Sequence, residues 1–168
     1  MAQIHESVDV EVPLWTAYDQ WTQFELFPEF MDHVAQTEQL EDDLVRFTTT
    51  IGGVRRTFTA RIQEQRPDRM IRWQDTDRPA HHGEIRFEPV GPDATRLDVS
   101  ILWNPEDVVE AIGSFFKLDQ VSVHQDLANF KKYIEERHQA SGGWHGTIPS
   151  PNDGPPPEQP PLTDPPTV

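Results

Sequence analysis

The chain has 168 residues and 35% hydrophobic content, which fits one domain but is low for a chain packed throughout. Its formal charge of −15 leaves no net positive field to attract phosphate backbones or anionic headgroups, so no nucleic-acid partner is expected. The absence of cysteine excludes disulfides, thiolate chemistry and cysteine-ligated zinc or iron–sulfur centres, and fits a reducing compartment.

The start, MAQIHESVDVEV, has no basic segment followed by an apolar run, and no stretch approaches about 18 apolar residues. Neither a signal peptide nor a membrane span is expected, and the expected location is the cytoplasm. Ile4, Val8, Val10 and Val12 alternate with Ser7, Asp9 and Glu11, a period of two that predicts a half-buried strand. Pro13 ends it and opens a short amphipathic helix to about Phe24, with Leu14, Tyr18 and Trp21 on its apolar side. Phe24 to Met31, broken at Pro28, is too aromatic for a solvated loop and is expected to cap a core.

From Val34 to Trp103 alternating runs predict six strands. Gly52-Gly53 suits a two-residue hairpin turn between Leu44–Ile51 and Val54–Gln65, a turn that would pair Phe47 with Phe58, Val45 with Ala60, and Thr49 with Arg56. The turn at Arg66-Pro67-Asp68-Arg69 then sets Ile62 opposite Trp73 and Ala60 opposite Asp75. Gly83, Ile85 and Phe87, then Leu97, Val99, Ile101 and Trp103, continue one apolar face of an antiparallel meander. Asn104-Pro105-Glu106-Asp107 reads as a helix start. Val109, Ile112, Phe116, Val123, Leu127, Phe130 and Ile134 carry the helix to about His138, with Gly113 as a possible bend. The expected fold is α+β, a curved antiparallel sheet wrapped around a long C-terminal helix, because no other element covers both apolar faces.

Residues 141–168 hold 9 of the 16 prolines and 4 of the 9 glycines, so the expected organisation is a domain over 1–140 and a Pro-rich, largely disordered tail over 141–168. Trp144 stands out in that polar context as a residue to pack back onto the domain. Removing the tail's three acids, Asp153, Glu158 and Asp164, takes the charge from −15 to −12. The remaining acids are most simply a solvated exterior, with a basic partner as the alternative.

The register places polar residues on the apolar face, the informative kind of exception. Arg56 stands beside Phe58. Asp75 follows Trp73 by two positions, and His81 would face Asp75 across the hairpin. An Asp–His pair orients a proton-transfer group, and Arg56 suits a carboxylate or enolate oxygen. The competing reading is a solvated hairpin mouth for Asp75 and His81, and a surface ion pair for Arg56. Tyr18, Tyr133 and His124 are further polar candidates. No metal is expected: His81 and His82, adjacent on a strand, point to opposite faces, and no HExxH occurs. Neither a G-x-S-x-G motif nor a phosphate-binding glycine loop is present, and no cofactor is implied.

Several blocks carry a resemblance beyond architecture: Val12-Pro13, Trp21-Thr22, Phe24 to Met31, Ile62 to Trp73, Phe87-Glu88-Pro89, and Asp126 to Glu135. They resemble the bacterial polyketide cyclase/dehydrase branch of the START-like superfamily (SRPBCC), related to coenzyme Q-binding START domains, over residues 3 to about 148. The resemblance implies a helix-grip (START-like, Bet v 1-like) fold with a ligand cavity between sheet and C-terminal helix, in a family of aromatase/cyclases and carriers of lipids and quinones. No catalytic motif carries over residue by residue, and fold does not stand in for function.

A pocket of about 300 Å³ left empty would cost up to about 7 kcal/mol, comparable with a domain's whole stability, so such a space is expected to hold a guest. The expected lining is Phe47, Phe58, Trp73, Ile85, Phe87, Val99, Trp103, Phe116 and Leu127, with Ile62, Ile112, Val123 and Phe130 nearby. The alternative is that these side chains meet and leave no space. Three functions are open: a module binding a hydrophobic small molecule (polyketide, quinone or lipid), a polyketide aromatase/cyclase using Arg56, Asp75 and His81, and an interaction protein using the tail or the acidic face.

Overall fold

The computed structural model describes residues 2–51, 54–103 and 120–153. Strand β1 (Ala2–Val10) leads to helix α1 (Leu14–Trp21) and a 3-10 helix (Phe24–Glu29). Six strands follow, β2 (Val34–Glu41), β3 (Leu44–Ile51), β4 (Val54–Arg66), β5 (Met70–Asp75), β6 (His82–Gly91) and β7 (Ala94–Trp103), and then helix α2 (Gln120–Arg137). The strands form one antiparallel sheet in the order β1-β7-β6-β5-β4-β3-β2. The meander is thus closed on its late side by β1, which returns beside β7. The sheet wraps α2, an α+β helix-grip fold. The Gly52-Gly53 turn, the Asn104–Asp107 helix start and the first half of the expected long helix, with Val109, Ile112, Gly113 and Phe116, lie outside the described residues.

The cross-strand pairs are those the sequence predicts: Phe47 opposite Phe58, Val45 opposite Ala60, Thr49 opposite Arg56, Ile62 opposite Trp73 and Ala60 opposite Asp75. What the alternation does not reveal is a bulge at Gln63, after which Glu64 faces Arg72. One extra residue reverses the parity of the strand. Gln65 therefore turns inward, where its Nε2 donates to the Tyr18 hydroxyl at 3.0 Å. Glu64 turns to the other face and receives Arg66 Nε at 2.5 Å and Arg72 Nη1 at 2.9 Å, while Arg72 also reaches Glu84 at 2.7 Å. Further irregularities in β2 and in the β6–β7 pair bend the sheet where it must curl.

On α2, Val123, Leu127, Phe130 and Ile134 are buried at the three-to-four residue spacing of one helical face. Phe130 meets Trp21 and Phe30, each at 5.1 Å between ring centroids. Phe24, Phe27 and Phe30 are buried, so the aromatic block caps the core as its composition predicts. Pro28 lies inside the 3-10 helix, and α1 ends just before it at Thr22, whose hydroxyl donates to the Asp19 carbonyl.

The chain after α2 runs back over α1. Ser141 N–H and hydroxyl both donate to Gln20 Oε1 at 3.0 Å, Trp144 N–H donates to Thr22 Oγ1 at 3.1 Å, and His145 Nε2 lies 2.8 Å from Asp19 Oδ1. Ile148 forms a two-way backbone bridge with Gln65, and Asp153 meets Arg66. Residues 141–153, placed in the tail by composition, are thus bonded to the domain, because backbone pairing and α1 side chains supply contacts that composition does not register.

A candidate ligand cavity between sheet and helix

The sheet and α2 part over β3–β5, leaving a cavity of about 260 Å³. Its sheet wall is built by alternation: Val45, Phe47 and Thr49 from β3, Phe58, Ala60 and Ile62 from β4, Ile71, Trp73 and Asp75 from β5. The aromatic cap contributes Trp21, Phe24 and Phe27, and α2 contributes Ser122, Val123, Asp126 and Leu127. Phe47 and Phe58 stack at 5.1 Å with 14° between their planes, and Phe27 lies 6.3 Å from Phe47, so one side of the cavity is flat and aromatic. Opposite Trp73 stands Gly83: a Cβ built there would lie 2.3 Å from Trp73 Cζ2, so the indole rests on bare backbone.

Of the expected lining, Phe47, Phe58, Ile62, Trp73, Val99, Val123 and Leu127 border the cavity. Ile85 and Phe87 do not. Ile85 is fully buried opposite Ile71 and Val99, and Phe87 packs edge-on to Tyr18 at 5.3 Å and against Trp21 at 6.5 Å, because these two α1 side chains fill the space over it. Solid packing thus holds around Ile85 and Phe87 and fails toward β3–β5. Phe130 is buried against Trp21 and Phe30 and is not among the lining residues. The Trp103 side chain, Ile112 and Phe116 lie outside the described residues.

Asp75 and His81 both line the cavity, joined by the Asp75 N–H donating to the His81 carbonyl at 2.9 Å. Asp75 Oδ1 accepts the N–H groups of Asp77 at 2.8 Å and Arg78 at 3.1 Å, so this carboxylate also holds its own turn. Arg56 pairs with Thr49, which lines the cavity, while Arg56 itself is not among the lining residues. Tyr18, Tyr133 and His124 are engaged elsewhere. Burial pushes the Tyr18 hydroxyl up to about 12 beside Gln65. Tyr133 donates to Glu29 at 2.7 Å, and the exposed His124 meets Glu6 at 2.9 Å.

The residue that alternation misses is Asp126. It sits beside the apolar stripe of α2, three residues after Val123 and four before Phe130, and it lines the cavity with His33. Burial raises its carboxyl to about 6; His33 opposes the rise, Asp32 adds to it, and a hydrogen bond from the Asp32 backbone opposes it. Its signal in the sequence is a carboxylate bordering an apolar helical face. Among the described residues no group of three or more His, Asp or Glu is placed to hold a metal. A wider depression lined by Asp9, Arg96, Asp98 and Lys131 is open to solvent, and its cations are engaged by Asp9 and Glu135.

The model of the polyketide cyclase/dehydrase and lipid transport family matches residues 10–132. The chain belongs to this family. A relative from Streptomyces lincolnensis, an uncharacterized 17.2 kDa protein in the melC2-rnhH intergenic region, is 39% identical over 149 residues, covering 88% of this chain and 99% of its own. The fold matches the Zhui aromatase/cyclase of a Streptomyces species with a TM-score of 0.64 at 18% identity, over 85% of this chain and 99% of that one. A START superfamily protein of Mycobacterium smegmatis matches with a TM-score of 0.59 at 18% identity, over 80% of this chain and 95% of that one. This member of the family thus combines the helix-grip frame with an aromatic-walled cavity. Among its described residues no helix is long and apolar enough to cross a membrane.

Proposed function

We propose that the protein binds a small hydrophobic molecule, largely aromatic, in the cavity between β3–β5 and α2. The observation that carries this reading is the cavity itself, whose walls are mainly aromatic and aliphatic side chains. Left empty, 260 Å³ would cost up to about 6 kcal/mol at roughly 24 cal/mol per Å³, against about 5–15 kcal/mol for a domain's stability. An apolar cavity of about 150 Å³ holds benzene, so this one suits a guest of about two fused rings. Membership of a family described by polyketide cyclisation and lipid transport supports the same class of guest. Native mass spectrometry of the full chain, purified from its own host, tests it: a co-purified apolar compound is expected. Ligand-free protein that takes up no aromatic probe would refute it.

A second reading, cyclase/dehydrase chemistry on the bound molecule, is favoured by Asp75 and His81 both lining the cavity and joined through their backbones. Here His81 moves the proton, Asp75 orients it, and Arg56 steadies developing negative charge from the adjoining strand pair. Cyclisation of a poly-β-keto substrate would then collapse in His81→Ala and in Arg56→Ala. Unchanged rates would remove both residues from the mechanism.

A further inference from the structure

The cavity is apolar over most of its wall, yet its charged character is one-sided. Among the described lining residues the formal anions are Asp75 and Asp126, and none is a lysine or arginine; His33, His81 and His82 are the only other titratable groups. Asp75 is the less available of the two acids, since the N–H groups of Asp77 and Arg78 already hold its Oδ1. Asp126 stands on α2 between Val123 and Leu127, which both face the guest space, and meets His33 and Asp32 from the segment ahead of β2. Arg56, a cation two residues from Phe58 on β4, is outside the lining.

We infer that Asp126 is a specificity-determining residue, selecting electroneutral guests and rejecting those that carry a carboxylate. A guest carboxylate beside Asp126 would bury two like charges in a site whose described lining holds no lysine or arginine to offset them, whereas a neutral carbonyl or hydroxyl group meets the same side chain without repulsion. The raised carboxyl of Asp126 agrees with this: burial already disfavours its charged form, and a second anion beside it would add to that cost. The inference rests on the binding role proposed for the cavity and names the class of guest.

The test uses the full chain and three probes of one shape, naphthalene, 2-acetonaphthone and 2-naphthoate, titrated by calorimetry at about pH 8, where free histidines are neutral. Naphthalene and 2-acetonaphthone are expected to bind. 2-Naphthoate is expected to bind at least about tenfold more weakly than the ketone, and Asp126→Asn is expected to narrow that gap to about threefold or less. Equal affinities of ketone and carboxylate for the natural chain would overturn the inference, as would a gap that Asp126→Asn leaves unchanged; both leave the binding role standing. Failure of all three probes would instead overturn the binding role and the inference together.

Discussion

Replacing Gly83 by alanine tests whether the cavity depends on the seat of Trp73. In an ordinary strand position the change should stabilise by roughly 0.5–1 kcal/mol, because glycine loses more backbone freedom on folding than alanine. Here the added Cβ would meet Trp73 Cζ2 at 2.3 Å and Cε2 at 2.6 Å, both below any tolerable contact, and Cη2 at a tight 3.0 Å. The indole is a rigid double ring, so it must tilt as a unit, and the space open to it is the cavity it lines. Overpacking of this kind costs about 1–3 kcal/mol, leaving a net loss of roughly 1–2 kcal/mol. Urea unfolding reads the stability, tryptophan fluorescence the ring's environment, and naphthalene titration the loss of space. Adding Trp73→Phe should recover part of the loss, so the two changes should couple by about 1 kcal/mol. A Gly83→Ala protein as stable as the natural chain, with unaltered naphthalene affinity, would refute the reasoning.

Ala60 lies on the cavity wall between Phe58 and Ile62, so Ala60→Leu should raise stability by about 0.5–2 kcal/mol while abolishing naphthalene uptake, read by thermal unfolding and calorimetry. Asp126, with its carboxyl raised to about 6, costs the native state stability as pH climbs from its unfolded value near 3.9 through about 6, since the unfolded chain ionises first. Asp126→Asn should therefore be more stable at about pH 7 by roughly 1–2 kcal/mol after allowance for solvent, with the difference gone below about pH 4 in urea titrations. Glu64→Gln removes the charge shared by Arg66 and Arg72, and because Arg72 keeps Glu84 the expected loss in urea unfolding is about 1–2 kcal/mol. Ending the chain at Ala140 removes the Ile148–Gln65 bridge and the bonds to Gln20 and Thr22, and should lower stability by about 2–3 kcal/mol in urea unfolding.

Strand pairing was legible along the chain because alternation has only two phases, and each short turn sets which phase meets which. Phe47 against Phe58 and Ile62 against Trp73 followed from turn residues and parity alone. The apolar face of the last helix followed from its three-to-four residue spacing, the burial of the Phe24–Phe30 block from its aromatic composition, and the family from a resemblance carried by blocks around Pro28 and Trp73. The bulge at Gln63 has no such mark, since one inserted residue leaves the composition of β4 unchanged while reversing the destination of Glu64 and Gln65. Whether inward side chains meet or stand apart was likewise decided only in three dimensions. Ile85 and Phe87 share the face of Phe58 and Trp73, yet Ile85 is packed solid and Tyr18 and Trp21 of α1 cover Phe87, while Phe58 and Trp73 border a void. The place of Asp126 was decided in the same way, because a carboxylate beside an apolar stripe is an ordinary helix edge until packing around it buries it at the cavity wall. Local periodicity dictates which way a side chain points, and only the distance between packed layers dictates what it finds there.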